Sequence, residues 1–239
     1  MDSIYIKMIK KIILLFIITV LPLTIYIYMD KEVKETLKFN IIGNNDRYII
    51  EGEFIEKEQS IDFIQIIQYT NSSNHELKKI YAKNKSEHAE VSSIQINDEV
   101  SNFKIIGKDR NTILIVPKKE IAKGETITLN IEYKLHLKQY NSNNNEKNKE
   151  YILENWYLTM AELNQSGWQL ESDYTNSNID KLGNYSIKII LPVNYKIDTQ
   201  EGINNLSKTA KNNTIYYLQA SNINKILLKI VEKNHNESK

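Results

Sequence analysis

The sequence predicts a mainly β domain behind one N-terminal transmembrane helix, and three observations predict it. An uncharged run built from Ile, Leu, Phe, Val and Tyr extends from Ile12 to Met29. Beyond it, several stretches alternate apolar and polar residues with period two, the pattern of strands that bury one face. No long stretch after that run repeats apolar residues at three-and-four spacing, so the outer part is not expected to be helical.

The N-terminal run with its flanks meets the roughly 20 mostly apolar residues that a bilayer-spanning helix needs. Lys7, Lys10 and Lys11 precede it and Asp30 follows. The cationic side is expected to stay in the cytoplasm, which places everything after Asp30 outside the cell membrane. Pro22 is compatible with such a helix. A cleaved secretory signal would need small residues at its end, whereas this run closes on Tyr26-Ile27-Tyr28-Met29. The lipid bilayer is thus the first expected partner, through residues 12–29. The organisation that follows is a basic flank and signal-anchor helix over 1–29, a polar stalk over 30–36, a β domain over 37–233 and a polar tail over 234–239.

Composition narrows the function classes. The 239 residues carry 31 Lys and Arg against 30 Asp and Glu, a formal net charge of +1. Charges of both signs are interleaved along the outer part, as on a solvated surface, and no basic footprint for nucleic acid is present. The absence of cysteine excludes disulfides, thiol catalysis and Cys-ligated zinc.

The clearest strand is Glu125 to Leu137, in which Ile127, Leu129, Ile131, Tyr133, Leu135 and Leu137 alternate with Thr126, Thr128, Asn130, Glu132, Lys134 and His136. One oily and one wet face fit an antiparallel sheet that covers a core. Further strands are expected near 47–55, 61–69, 91–97, 103–106, 112–116, 184–191, 214–220 and 225–232, while 74–84 reads as a short helix or a strand. Turns are expected at Gly43 to Asp46, Asn97-Asp98, Gly107 to Asn111, Lys123-Gly124 and Lys211 to Asn213. With 7 glycines in the chain, Asn is expected at positions that need positive φ. Pro117 and Pro192 close strand patterns, since proline cannot donate to a ladder. Tyr140 to Glu150 is an Asn-rich break, read as an exposed loop between two parts of the sheet. Many short strands with turn signals between them predict a sandwich or a large bent sheet.

The order of short motifs carries a resemblance. Tyr69-Thr70-Asn71-Ser72-Ser73 is followed by Leu77 and Ile80, then by Val91, Ile94 and Ile96-Asn97, and by a strand ending at Val116-Pro117. Gly124-Glu125 opens the long alternating strand. Asn155-Trp156-Tyr157, Gly167-Trp168, Asn184-Tyr185-Ser186-Ile187, Leu191-Pro192, Tyr195, Gly202, Tyr216 to Ala220 and Asn222-Ile223 follow. Taken in this order, over roughly residues 37 to 232, the series resembles the N-terminal domain of M1-family, aminopeptidase N-like zinc metallopeptidases, especially membrane-associated bacterial members. The resemblance implies a saddle-like, mainly β domain that sits against a thermolysin-like catalytic domain and helps to wall its cleft. Leu158 stands where the family usually has proline after Asn-Trp-Tyr, and the segment from Asn224 to Leu228 lacks the expected aromatic residue.

The family's chemistry depends on His-Glu-x-x-His on a helix plus a later Glu, with the histidines one turn apart on zinc and the glutamate acting on its water. Here His75-Glu76 opens like that motif, but the fifth position is Lys79, whose ammonium cannot ligate. His88, His136 and His235 show no ligand spacing. A Gly-x-Ser-x-Gly elbow and a Gly-rich phosphate loop are also absent. The sequence therefore predicts no catalytic residue, no metal and no cofactor. Trp156, Tyr157 and Trp168 are the candidate partner contacts, weighed against the commoner fate of such rings, which is core packing. Three functional readings follow: a free-standing, non-catalytic relative of the M1 N-domain that binds a protein or peptide; the non-catalytic part of a split or truncated M1 peptidase whose zinc domain lies elsewhere; or an unrelated surface adhesion or structural β module.

Overall fold

A computed structural model describes residues 46–84, 86, 88–107, 111–140, 149–170 and 182–233. The expected membrane run, the stalk and the tail lie outside these residues. Among the described residues, no helix is long and apolar enough to cross a membrane.

The described chain is mainly β, as predicted. Its strands are β1 (Asp46–Ile55), β2 (Ser60–Thr70), β3 (Ile80–Asn84), β4 (Ala89–Ile96), β5 (Glu99–Val100), β6 (Asn102–Ile106), β7 (Thr112–Val116), β8 (Thr126–His136), β9 (Glu150–Leu153), β10 (Leu158–Met160), β11 (Leu163–Asn164), β12 (Gly167–Trp168), β13 (Gly183–Pro192), β14 (Tyr195–Thr199), β15 (Asn204–Ala210), β16 (Asn213–Ile223) and β17 (Leu228–Glu232). An eight-stranded sheet has the order β15-β16-β13-β1-β2-β8-β4-β5. Its pairs are antiparallel except β1 with β13, which run parallel from Asp46 opposite Gly183 to Glu53 opposite Ile190. A four-stranded sheet, β10-β3-β7-β6, and a three-stranded sheet, β14-β17-β9, accompany it, with the small hairpin β11-β12.

Period two decides which face is buried. On β8 the alternation predicted from sequence holds: Ile127, Leu129, Ile131, Tyr133 and Leu135 are buried, and Thr126, Glu132 and His136 are exposed. Register carries the same rule to Ile61, Phe63, Ile67 and Tyr69 on β2, to Tyr48, Ile50 and Phe54 on β1, and to Tyr185, Ile187, Ile189 and Leu191 on β13. The two smaller sheets cover this face. Ile80, Ala82, Ile113 and Ile115 of one and Tyr151, Leu153, Tyr195, Leu228 and Ile230 of the other join a single core cluster with it. The product is a two-layer sandwich. Gly52 of β1 sits beneath Phe63, where an added Cβ would lie 2.4 Å from the ring, so only glycine fits there.

Turn chemistry follows the expected substitution of Asn for glycine. Asn97, Asp98, Asn155 and Asn222 have positive φ, together with Gln59 and Lys211. Of the two alternatives for the 74–84 region, the strand is found: β3 runs from Ile80 onward, preceded by a turn. The Asn-rich break expected as an exposed loop lies outside the described residues over 141–148; the strands on either side, β8 and β9, belong to the eight-stranded and the three-stranded sheet.

Candidate functional site

Among the described residues, no group of three or more His, Asp or Glu side chains could hold a metal ion. His75 is exposed in the turn after β2. That turn is organised by the fully buried Asn71, whose Nδ2 donates to the carbonyls of His75 (2.9 Å) and Ile121 (3.0 Å) while its Oδ1 accepts from Ser73 N–H at 3.0 Å. The His75-Glu76 pair is thus on a stapled turn, not on a helix face. His136 lies on the exposed face of β8 with Nε2 3.5 Å from Glu90, and His235 is outside the described residues.

The three aromatic candidates divide. Asn155, with φ +53, turns the chain between β9 and β10 so that Trp156 and Tyr157 enter the sandwich, at 1% and 5% exposure. Trp156 packs on Phe63 at 5.1 Å and edge-on to Tyr157 at 5.3 Å. Tyr157 meets Tyr185 at 5.2 Å, and Tyr185 stacks on Tyr48 at 4.9 Å. The indole N–H donates to the Ile226 carbonyl at 3.1 Å, which satisfies the one polar atom of the ring. Both rings are therefore occupied by this chain's own core. Beside them the fully buried Gln65 brackets Leu158, its Nε2 donating to the Leu158 carbonyl at 2.7 Å and its Oε1 accepting the Leu158 N–H at 3.0 Å. A proline at 158 would have no such N–H.

Trp168 is different. It is half-buried on the β11-β12 hairpin, against Tyr69 at 6.2 Å and Tyr81 at 5.3 Å. It keeps some outward surface.

A cavity of about 260 Å³ lies beside the β4-β5 turn, lined among others by Asn97, Glu99, Ser101, Lys118, Glu120 and Glu125. Most of its charges have partners: Lys118 with Glu99 at 3.6 Å, Glu120 with Lys78 at 3.1 Å, and Glu125 Oε2 with the Ala122 N–H at 2.7 Å. Nothing converges there on a reacting atom.

The site that sequence reasoning missed is an edge. Strand β15 ends the eight-stranded sheet, and among the described residues its one neighbour is β16. All seven of its residues are exposed, and Leu206 reaches 72%. The hairpin turns through Lys211, with φ +54, and Asn212, so Ala210 opposite Asn213 is the pair that closes it. In such a hairpin the closing pair exchanges both hydrogen bonds, and bonded pairs then recur at every second residue. Asn204, Leu206, Lys208 and Ala210 thus bond to β16, while the N–H and C=O groups of Asn205, Ser207 and Thr209 point away from the sheet.

No protein-family model matches the sequence, and no curated protein matches it. Solved structures do match. A mutant of the M1 zinc metallopeptidase from Deinococcus radiodurans, bound to a Tyr-Ser-Ala substrate, is similar over 79% of this chain and 42% of its own, at 10% identity and a TM-score of 0.49. Another structure of the mutant gives 81%, 44%, 11% and 0.48 for the same quantities. The unsubstituted enzyme gives 79%, 41%, 11% and 0.48. The chain spans less than half the length of the metallopeptidase structures that it resembles.

Proposed function

We propose that this chain is a non-catalytic binding module, held at the outer face of a membrane by residues 12–29 with its N-terminus in the cytoplasm, and that a protein or peptide partner docks as an added strand on β15. The observation that carries this reading is the edge itself: seven exposed residues with three outward N–H and C=O pairs and no covering element among the described residues. An extended segment laid along such an edge gains main-chain hydrogen bonds at every second residue, with side-chain contacts for selectivity. The Lys-flanked apolar run supports the tether. Lys79 at the fifth position after His75-Glu76, where the peptidase motif has its second histidine, supports a role without peptide hydrolysis by the chain alone. The ordered motif series supports reading the large sheet as the saddle-like sheet of an M1-type N-terminal domain.

The test is amide hydrogen exchange of the full chain, compared between native membranes and dilute detergent solution. Protection at Asn205, Ser207 and Thr209 is expected in membranes and its loss on dilution. Equally fast exchange at these three amides in both states would overturn the reading.

The same motif series favours a second reading, in which the chain is the non-catalytic part of a split or truncated M1 zinc aminopeptidase. It predicts a neighbouring reading frame with His-Glu-x-x-His and a later Glu, whose product co-purifies with this chain and brings zinc and aminopeptidase activity. Absence of both frame and activity would remove it.

A further inference from the structure

Resting on the docking role of β15, we infer that the added strand is β15 of a second copy of this chain, paired antiparallel about Ser207. A two-fold axis through Ser207 sets Ser207 opposite itself, Asn205 opposite Thr209, Leu206 opposite Lys208 and Asn204 opposite Ala210. The residues with outward backbone groups, Asn205, Ser207 and Thr209, then face one another in bonded register, and about six backbone hydrogen bonds close between the copies. No outward group of the strand is left over. A closed, self-complementary contact of this kind is the usual form of a homodimer.

The side chains agree with that register on both faces. On one face Leu206, 72% exposed in the single copy, gains the methylene stem of Lys208 from the second copy, and lysine stems commonly cover apolar surface in this way. On the other, short hydrogen-bonding side chains oppose each other, Ser with Ser and Asn with Thr, a favourable cross-strand class.

Charge selects the direction. The segment carries its acid at the start, Glu201, and its bases at the end, Lys208 and Lys211, all of them exposed. A parallel second copy would set base beside base and acid beside acid. The antiparallel one brings the turn that carries Lys211 alongside the turn that carries Glu201 of the other copy, opposite charges at each end of the paired strands. The opposing account is that Lys208 and the two asparagines only guard the edge against association, as charged edge strands often do.

The experiment uses the full chain in detergent micelles. Light scattering is expected to give twice the protein mass at high concentration. Ser207→Pro removes an outward N–H and leaves the β15–β16 bonds in place, because Ser207 does not bond to β16. It is expected to weaken dimerisation at least tenfold while the far-ultraviolet spectrum is kept. Glu201→Lys and Lys211→Glu each weaken the dimer, and the double variant restores it. Because the chain has no cysteine, Ser207→Cys supplies a single thiol, and oxidation is expected to link two copies through it. Ser72→Cys, on an exposed turn elsewhere, is expected not to link.

A monomer mass at all concentrations with no link through position 207 would overturn the inference. So would a dimer indifferent to Ser207→Pro, which would place the contact elsewhere, for example in the membrane run. If the edge amides are protected in native membranes while the chain is monomeric, a different polypeptide occupies β15; the inference fails and the binding role stands. Unprotected amides together with a monomer would remove both.

Discussion

The seam around Trp156 and the edge at β15 belong to one sandwich, yet they treat polar groups in opposite ways. At the seam a buried indole N–H is bonded to Ile226, and both backbone groups of Leu158 are bonded to Gln65. At the edge three residues hold their N–H and C=O groups out to solvent. The other edge of the same sheet shows that this openness is not obligatory. There β5 has two residues, β4 has a bulge between Val91 and Ser93, Ser101 N–H folds back onto the Ile94 carbonyl at 2.9 Å, and Glu99 pairs with Lys118. Short strands, bulges and charge are the usual means of closing an edge. Stability is concentrated in the seam, and capacity for association is left on β15.

That contrast breaks most sharply at the seam. Trp156→Ala removes the largest fully buried side chain and is expected to cost about 3–5 kcal/mol, measured by urea unfolding of the full chain. A loss under 1 kcal/mol would show that the ring does not hold the two layers together. Gln65→Leu fills similar space but strands the N–H and C=O of Leu158, at an expected cost of about 2–4 kcal/mol; exchange protection at Leu158 should fall with it.

Alkaline pH probes the same region by titration. Burial first, and then the hydrogen bond from its hydroxyl to Glu56 at 2.9 Å, raise the pKa of Tyr195 above the ordinary 10.0. Burial is also the first cause of the raised values of Tyr133, Tyr151 and Tyr216. The folded state therefore holds these protons more tightly than the unfolded chain. Their stabilisation is complete below pH about 10 and is lost as pH rises above it. Thermal melts between pH 8 and 12 should show falling midpoints only above that value, and Tyr195→Phe should flatten the fall.

The smallest effect belongs to the edge. Lys211 holds φ +54 at the hairpin turn, a region that favours glycine. Lys211→Gly is expected to raise stability by up to about 1 kcal/mol, which a shift in the urea midpoint would register. A marked loss would mean that the lysine side chain supports the hairpin.

Legibility in the sequence tracked burial. Strands β2, β8, β13 and β16 could be read because each has one buried face, and a half-buried strand writes its alternation into residue type. Strands β10, β11 and β12 span two or three residues, too few for a period to show. In β14 and β9 two residues each point inward, Tyr195 with Ile197 and Tyr151 with Leu153. Strand β15 was missed for the reason that makes it the candidate site: a strand exposed on both faces has no apolar set to alternate. Trp156, Tyr157 and Trp168 stood out by type. Their different destinations depend on Phe63, Tyr185, Tyr69 and Tyr81, distant in sequence and fixed only by the pairing of strands.

The parallel pairing of β1 with β13 has a consequence for synthesis. Glu51 and Lys188, which meet across that pair at 3.2 Å, are 137 residues apart. While the ribosome extends the chain, β1, β2 and β8 can zip together as they emerge, but the far side of β1 stays bare until β13 has left the exit tunnel. Contacts of such long range form late and slowly, so the nascent domain passes through a stage in which its future central strand is an open border, and a holding chaperone or rapid elongation would shorten that exposure.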